Sequence, residues 1–176
     1  MHRRRFAVMF ALALVLTALC TAPPRAWALA FWEGQPTAVG PGPGGEAVGD
    51  FNGDGRLDVV TANYLGGTVS VALGNGVGGF AATTDFATGA GPYAVVVGDF
   101  NGDGNLDVAT TSGAASGVVS VLLGNGRGGF GTKADFATGA YPESLAVGDF
   151  NGDGKLDLVT ADNGANTVSV LLGNGS

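Results

Sequence analysis

Asp50, Asn52, Asp54 and Asp58 set four oxygen-bearing side chains at the first, third, fifth and ninth positions of one short stretch, with Gly55 at the sixth. The pattern returns as Asp99, Asn101, Asp103 and Asp107 around Gly104, and again as Asp149, Asn151, Asp153 and Asp157 around Gly154. Alternate side chains on a tight loop can converge on one point, and the glycine permits the sharp turn. Every donor is a hard oxygen, which suits Ca2+ rather than zinc or copper. The seventh residues, Arg56, Asn105 and Lys155, would complete each shell through their backbone carbonyls. The spacing therefore predicts up to three calcium sites, one per loop.

Charge supports the same chemistry. Two carboxylates about 4 Å apart repel by roughly 4 kcal/mol at an effective dielectric of about 20, so three acids on one short loop are strained without a cation. Turns chosen only for backbone geometry would explain the glycines but not four oxygen ligands in register. An EF-hand is excluded, because its loop closes with a glutamate at the twelfth position and is flanked by helices. Here the twelfth residues are Thr61, Thr110 and Thr160. A nine-residue calcium repeat is excluded as well, since nothing recurs at that period. The affinity expected is that of extracellular calcium modules, about 10⁻⁴–10⁻³ M.

The elements that must carry these loops are strands. Asp50, Asp99 and Asp149 lie 49 and 50 residues apart, a period that marks a propeller or solenoid. Leu-Gly-Asn-Gly recurs from Leu73, Leu123 and Leu172, and Gly-Gly-Phe ends at Phe80 and Phe130. Val69-Val71-Leu73, Val119-Val121-Leu123 and Val168-Val170-Leu172 alternate with small or polar residues, the period of a strand. Runs beginning at Leu57, Leu106 and Leu156 predict a second strand per module, and these leucines are expected to point away from the ligands and anchor each loop to the core. Ala47-Val48, Val95–Val97 and Leu145–Val147 predict a third. Phe80–Phe86 and Phe130–Phe136 predict a fourth, outer strand. The expected fold is all-β: three four-stranded antiparallel propeller-type blades, a partial or open β-propeller, with modules at 31–79, 80–129 and 130–176.

Val-Gly-Asp-Phe-Asn-Gly-Asp-Gly-x-Leu-Asp, followed by Leu-Gly-Asn-Gly, resembles the FG-GAP/VCBS repeat, and the resemblance covers essentially all of residues 31–176. It implies the blades of integrin-α-like propellers, with a structural calcium in each Asp-x-Asx-x-Asp-Gly-x-x-Asp hairpin loop. It also implies a platform for adhesion or ligand recognition in a secreted or surface protein. Family propellers typically close with seven blades, whereas this chain encodes three. Closed propellers usually need four to eight, so the expectation is an open array, a pair of chains forming six blades, or a fragment of a longer propeller.

The first thirty residues read as an export signal rather than a fold. His2-Arg3-Arg4-Arg5 is a basic start, Ala7–Leu19 an apolar run, and Ala28 and Ala30 offer cleavage points. That run is shorter than the ~20 residues needed to span a bilayer, so no membrane span is expected after cleavage. The segment takes with it Cys20, His2 and Arg3, Arg4, Arg5 and Arg25, so four bases then face fifteen acids and the net charge moves from −7 to −11. Nine of those acids lie in the three loops. So acidic a chain does not suit nucleic acid, and without cysteine or histidine it has no thiol nucleophile or imidazole base.

The 33 glycines fit a chain that turns often. Trp32, Tyr64, Tyr93 and Tyr141 share no register as a sugar platform, and Glu46, Asp85, Asp135 and Glu143 show no convergent catalytic pair. The reading is a secreted calcium-binding recognition or adhesion module and not an enzyme, whose partners are an extracellular protein, a glycan or a second copy. The alternative is a carbohydrate-binding or accessory module of a polysaccharide-acting enzyme.

Overall fold

The computed structural model describes residues 34–176; the segment expected to be an export signal and Trp32 lie outside the described residues. The described residues form strands and turns with no helix. Strands β1 (Pro43–Gly49), β2 (Asp58–Asn63), β3 (Thr68–Ala72) and β4 (Thr84–Ala87) make the first sheet in the order β1-β2-β3-β4. Strands β5 (Pro92–Gly98), β6 (Asp107–Ser112), β7 (Val118–Leu122) and β8 (Ala134–Ala137) repeat it. The third sheet has three strands among the described residues: β9 (Pro142–Gly148), β10 (Asp157–Asp162) and β11 (Thr167–Leu171). Every pairing is antiparallel.

Pleat alternation decides which residues become core. In the first sheet Ala47, Val60 and Val71 lie in register, with Ala62 opposite Val69 two residues along. This face is buried against Val95, Val97, Val108 and Leu122 of the second sheet. The second sheet's other face, with Val96, Ala109, Val119 and Val121, packs on Leu145, Leu158 and Leu171 of the third. The middle sheet is thus covered on both faces. Burying a valine or leucine in this way contributes about 1.5–3 kcal/mol per side chain. β1 lies against β5 and β5 against β9, so the strands that lead into the acidic loops sit side by side.

Two expectations need correcting. The outer strand was expected to open each module, beginning at Phe80 and Phe130. Instead β4 pairs with β3 through Val69↔Phe86, and β8 pairs with β7 through Val119↔Phe136, so each closes the preceding sheet. The chain reverses after β3 and β7, and the free edge of the same sheet is the nearest partner for an antiparallel return. Sequence modules and sheets are therefore out of phase. The outer strand is also shorter than expected, because Phe80 and Phe130 make only single bridges, to Gly74 and Gly124.

The second correction concerns Leu57, one of the leucines before the last loop acid. Leu106 packs against the core as expected, and does so across a junction between sheets. The Leu106 side chain reaches the backbone of Gly49, and that of Leu156 the backbone of Gly98, each in the preceding sheet. A β-carbon on Gly49 would stand 2.6 Å from Leu106 Cδ1. Leu57 has no preceding sheet among the described residues and is 67% exposed.

Candidate metal centres

The acidic stretches connect β1 to β2, β5 to β6 and β9 to β10, all at the same end of their sheets. Each loop is folded around its first acid. Asp50 Oδ1 accepts from the N–H groups of Gly53 (2.8 Å) and Asp54 (3.2 Å), and Oδ2 from that of Gly55 (2.8 Å). Gly53 and Gly55 have φ of 72° and 80°, the left-handed region in which a β-carbon would be strained. Asn52 Oδ1 accepts from Asp54 N–H at 3.0 Å, and its amide donates to Asp54 Oδ2 at 3.2 Å. Asp54 Oδ1 accepts from Arg56 N–H at 2.9 Å.

The other two loops repeat this pattern bond for bond. Asp99 accepts from Gly102, Asp103 and Gly104, and Asp149 from Gly152, Asp153 and Gly154, at 2.7–3.2 Å. Asn101 and Asn151 bond Asp103 and Asp153, whose carboxylates accept from the N–H groups of Asn105 and Lys155. The Gly55 N–H, helped by those of Gly53 and Asp54, holds the Asp50 carboxyl below the usual carboxylate range. The Gly154 N–H leads the same effect on Asp149. Asp103 is lowered by Asn105 N–H and the Asn101 amide.

The ninth acids have a different setting. Asp58, Asp107 and Asp157 are fully buried. Asp58 Oδ2 accepts from Phe51 N–H (2.9 Å) and Oδ1 from Gly74 N–H (2.7 Å). Asp107 holds Phe100 and Gly124 in the same way, and Asp157 holds Phe150 and Gly173. Burial pushes the Asp107 carboxyl up, and the charges of Asp103 and Asp99 add to it against the pull of the two backbone N–H groups. Asp107 therefore feels the charge of the two other acids of its loop.

Sequence reasoning missed the glycine that closes this arrangement. Gly74, Gly124 and Gly173 come from the Leu-Gly-Asn-Gly motif, whose recurrence alone assigns them no role. Their N–H groups bond the ninth acids, and a β-carbon on each would stand 2.1 Å from the carbonyl oxygen of Leu57, Leu106 or Leu156. Only glycine allows so close an approach. The signal was available in the sequence: Leu-Gly-Asn-Gly follows each acidic loop at a near-constant distance.

Among the described residues no three carboxylate, imidazole or thiolate side chains converge as a ready-made coordination group. Each loop has, besides its acids, an asparagine oxygen and the carbonyl of its seventh residue. The donor chemistry fits Ca2+, since only hard oxygens are present. A carboxylate oxygen that accepts one N–H keeps a further lone pair, so the bonds to Phe51 and Gly74 do not use up Asp58. Asp50 and Asn52 are partly open and Asp54 exposed, so an ion has a path to the loop.

The tyrosines lie at the opposite end of the sheets. Tyr64 follows β2, Tyr93 is the second residue of β5, and Tyr141 precedes β9; their exposures are 46%, 50% and 45%. Asp85 and Asp135 occupy equivalent positions of two different sheets, where each accepts from a serine hydroxyl, Ser70 at 2.5 Å and Ser120 at 2.7 Å. Lys133 also pairs with Asp135.

Among curated proteins no match is found. The family model of the FG-GAP-like repeat matches residues 50–110 and 106–160, so that each match begins within or at the edge of an acidic loop. With most of the chain matched and the repeated loop standing between paired strands, the protein belongs to the FG-GAP-like repeat family.

Proposed function

We propose that each acidic loop holds one calcium ion and that the protein is a calcium-stabilised recognition module exported from the cell. The ligands are Asp50, Asn52, Asp54, the Arg56 carbonyl and Asp58 in the first loop. Asp99, Asn101, Asp103, the Asn105 carbonyl and Asp107 serve the second, and Asp149, Asn151, Asp153, the Lys155 carbonyl and Asp157 the third. The observation that carries this reading is the identical folding of three loops around acids that have no basic partner of matching number. Among the described residues, the one ion pair to an acid of the first loop is that of Arg56, 3.6 Å from Asp54 and largely exposed. Bound calcium would supply the missing positive charge and tie β1 to β2, β5 to β6 and β9 to β10; three ions would move the net charge after signal cleavage from −11 to −5.

Recognition rather than catalysis follows from the chemistry at hand. The family's repeats generally serve as structural or recognition modules, and no acid–base pair is assembled among the described residues. A glycan is favoured among ligands by one observation: three half-exposed tyrosines lie at the end of the sheets away from the loops. Tyr141 holds a φ of 52°, where the first two sheets have Gly42 and Gly91. A bulky residue in that region is strained, and its retention fits a use for the ring at this surface, such as stacking on a sugar.

Scanning calorimetry tests the calcium reading. In calcium at 10 to 100 times the dissociation constant, each site adds roughly 1.5–3 kcal/mol, so the melting temperature should rise on the order of 10 °C over that in EGTA. Asp103→Ala should remove about a third of the rise. Equal melting temperatures in calcium and EGTA would sink the proposal.

A further inference from the structure

Among the described residues, the two outer sheets leave bare the two halves of an interface that the same residues already build twice. At the first junction Phe51 is 2% exposed and meets the Phe130 ring edge-on at 5.6 Å. Its carbonyl accepts from Gly128 N–H at 2.8 Å, and Gly53 lies over the Gly126 carbonyl. Leu106 packs on Gly49. The second junction repeats part of the pattern, with Leu156 on Gly98 and Gly102 over the Gly175 carbonyl.

The third sheet presents the donor half with nothing against it among the described residues. Phe150 is 53% exposed, and Val168 and Val170, which match the fully buried Val69 and the nearly buried Val71, are 66% and 51% exposed. Gly148 has only its own Phe150 ring nearby, and Gly152 has no neighbour within 4 Å. The first sheet presents the acceptor half. Leu57 is 67% and Val48 54% exposed. Beside them lies a depression of about 440 Å³ lined by Leu57, Gly76, Gly78 and Phe80. Those residues correspond one for one to Leu106, Gly126, Gly128 and Phe130, which receive the Phe51 loop at the first junction.

We infer that the third sheet of one molecule docks on the first sheet of a second copy, head to tail, through the contacts used inside the chain. Phe150 enters the depression and meets Phe80 of the second copy. Leu57 of that copy covers Gly148, and Val168 and Val170 are buried under the face that carries Val48. One residue opposes the fit: Glu46 stands where the second and third sheets have the buried Val95 and Leu145, and burying an unpaired carboxylate is costly. The association is therefore weaker than the internal junctions, and Glu46→Val should tighten it. Because the two surfaces differ, the contact is heterologous, and it either closes with two copies or extends.

Light scattering across a concentration series tests the docking. The wild type should exceed the monomer mass at high concentration, and Glu46→Val should shift that transition to roughly tenfold lower concentration or further. Leu57→Lys and Val168→Lys, each at an exposed side chain, should be monomers with unchanged melting curves. An equimolar mixture of these two variants retains one intact junction and should form a dimer that grows no further. A wild type that stays monomeric throughout, or a mixture of the two variants that stays monomeric while the wild type associates, would overturn the proposal.

Discussion

At the scale of single residues, the same position of the repeat is given different chemistry in each sheet. Asn63, Ser112 and Asp162 each end the second strand of their sheet and are buried. Asn63 shares hydrogen bonds with Thr68 and Ser70, whereas Asp162 accepts from Thr160, Thr167, Ser169 and Gly139 N–H at 2.6–3.2 Å. Burial alone would raise the Asp162 carboxyl, but those hydrogen bonds outweigh it and hold it below the ordinary 3.8. A carboxyl lowered on folding stabilises the protein above its unfolded value, and that stability is lost as pH falls through the folded value. Asp50, Asp103, Asp135 and Asp149 are lowered too, so stability should drop as pH falls below about 4. Asp107 is raised and works in the opposite direction, gaining stability as pH falls toward the ordinary value. Asp162→Asn, which copies the first sheet, should fold and should give a shallower acid limb in denaturant unfolding measured from pH 6 to 3. An unchanged limb would remove Asp162 from this account.

At the scale of elements, the strands were legible because two simple signals agreed. Val69-Val71 and Val119-Val121 alternate with Ser70 and Ser120, and glycine-rich turns bound them, so the strands expected there appear where the pattern puts them, as β3 and β7. The outer strands were less legible. Their residues Thr84–Ala87 and Ala134–Ala137 are mostly exposed, so little hydrophobic pattern records which sheet they join, and the sheet is chosen by the free edge beside β3 or β7. Leu57 misled for a related reason: an apolar residue announces burial, but Leu57 is 67% exposed because no preceding sheet among the described residues covers it. The role of Gly124 depends on a close approach between segments 17 residues apart, Asp107 to Gly124, and no local pattern encodes it. Gly124→Ala would force a β-carbon against the Leu106 carbonyl and loosen the N–H bond to the buried Asp107. It should cost about 1–3 kcal/mol, as overpacking does, read as a lower urea midpoint with an unchanged slope. A variant as stable as the wild type would show that the loop and the turn are not coupled in this way.

At the scale of the whole molecule, three sheets stack through two alike junctions and carry their acidic loops at one end and their tyrosines at the other. The repeated acidic loop was legible in type and spacing, because it is a local object read from nine consecutive positions. The way the loops tie neighbouring sheets together was not, since Phe51 and Leu106 act across a junction between repeats. On the proposed reading calcium would act on more than a hairpin: the loop that would hold the ion also carries Phe51, which meets Phe130 of the next sheet. The central claim is that the three loops each bind one ion, and equilibrium dialysis against radioactive calcium at millimolar concentration counts them directly. The account predicts three ions per wild-type chain, two for Asp103→Ala, and loss of all three when every fifth-position acid, Asp54, Asp103 and Asp153, is alanine. A wild-type chain that retains no calcium above a protein-free control would contradict it.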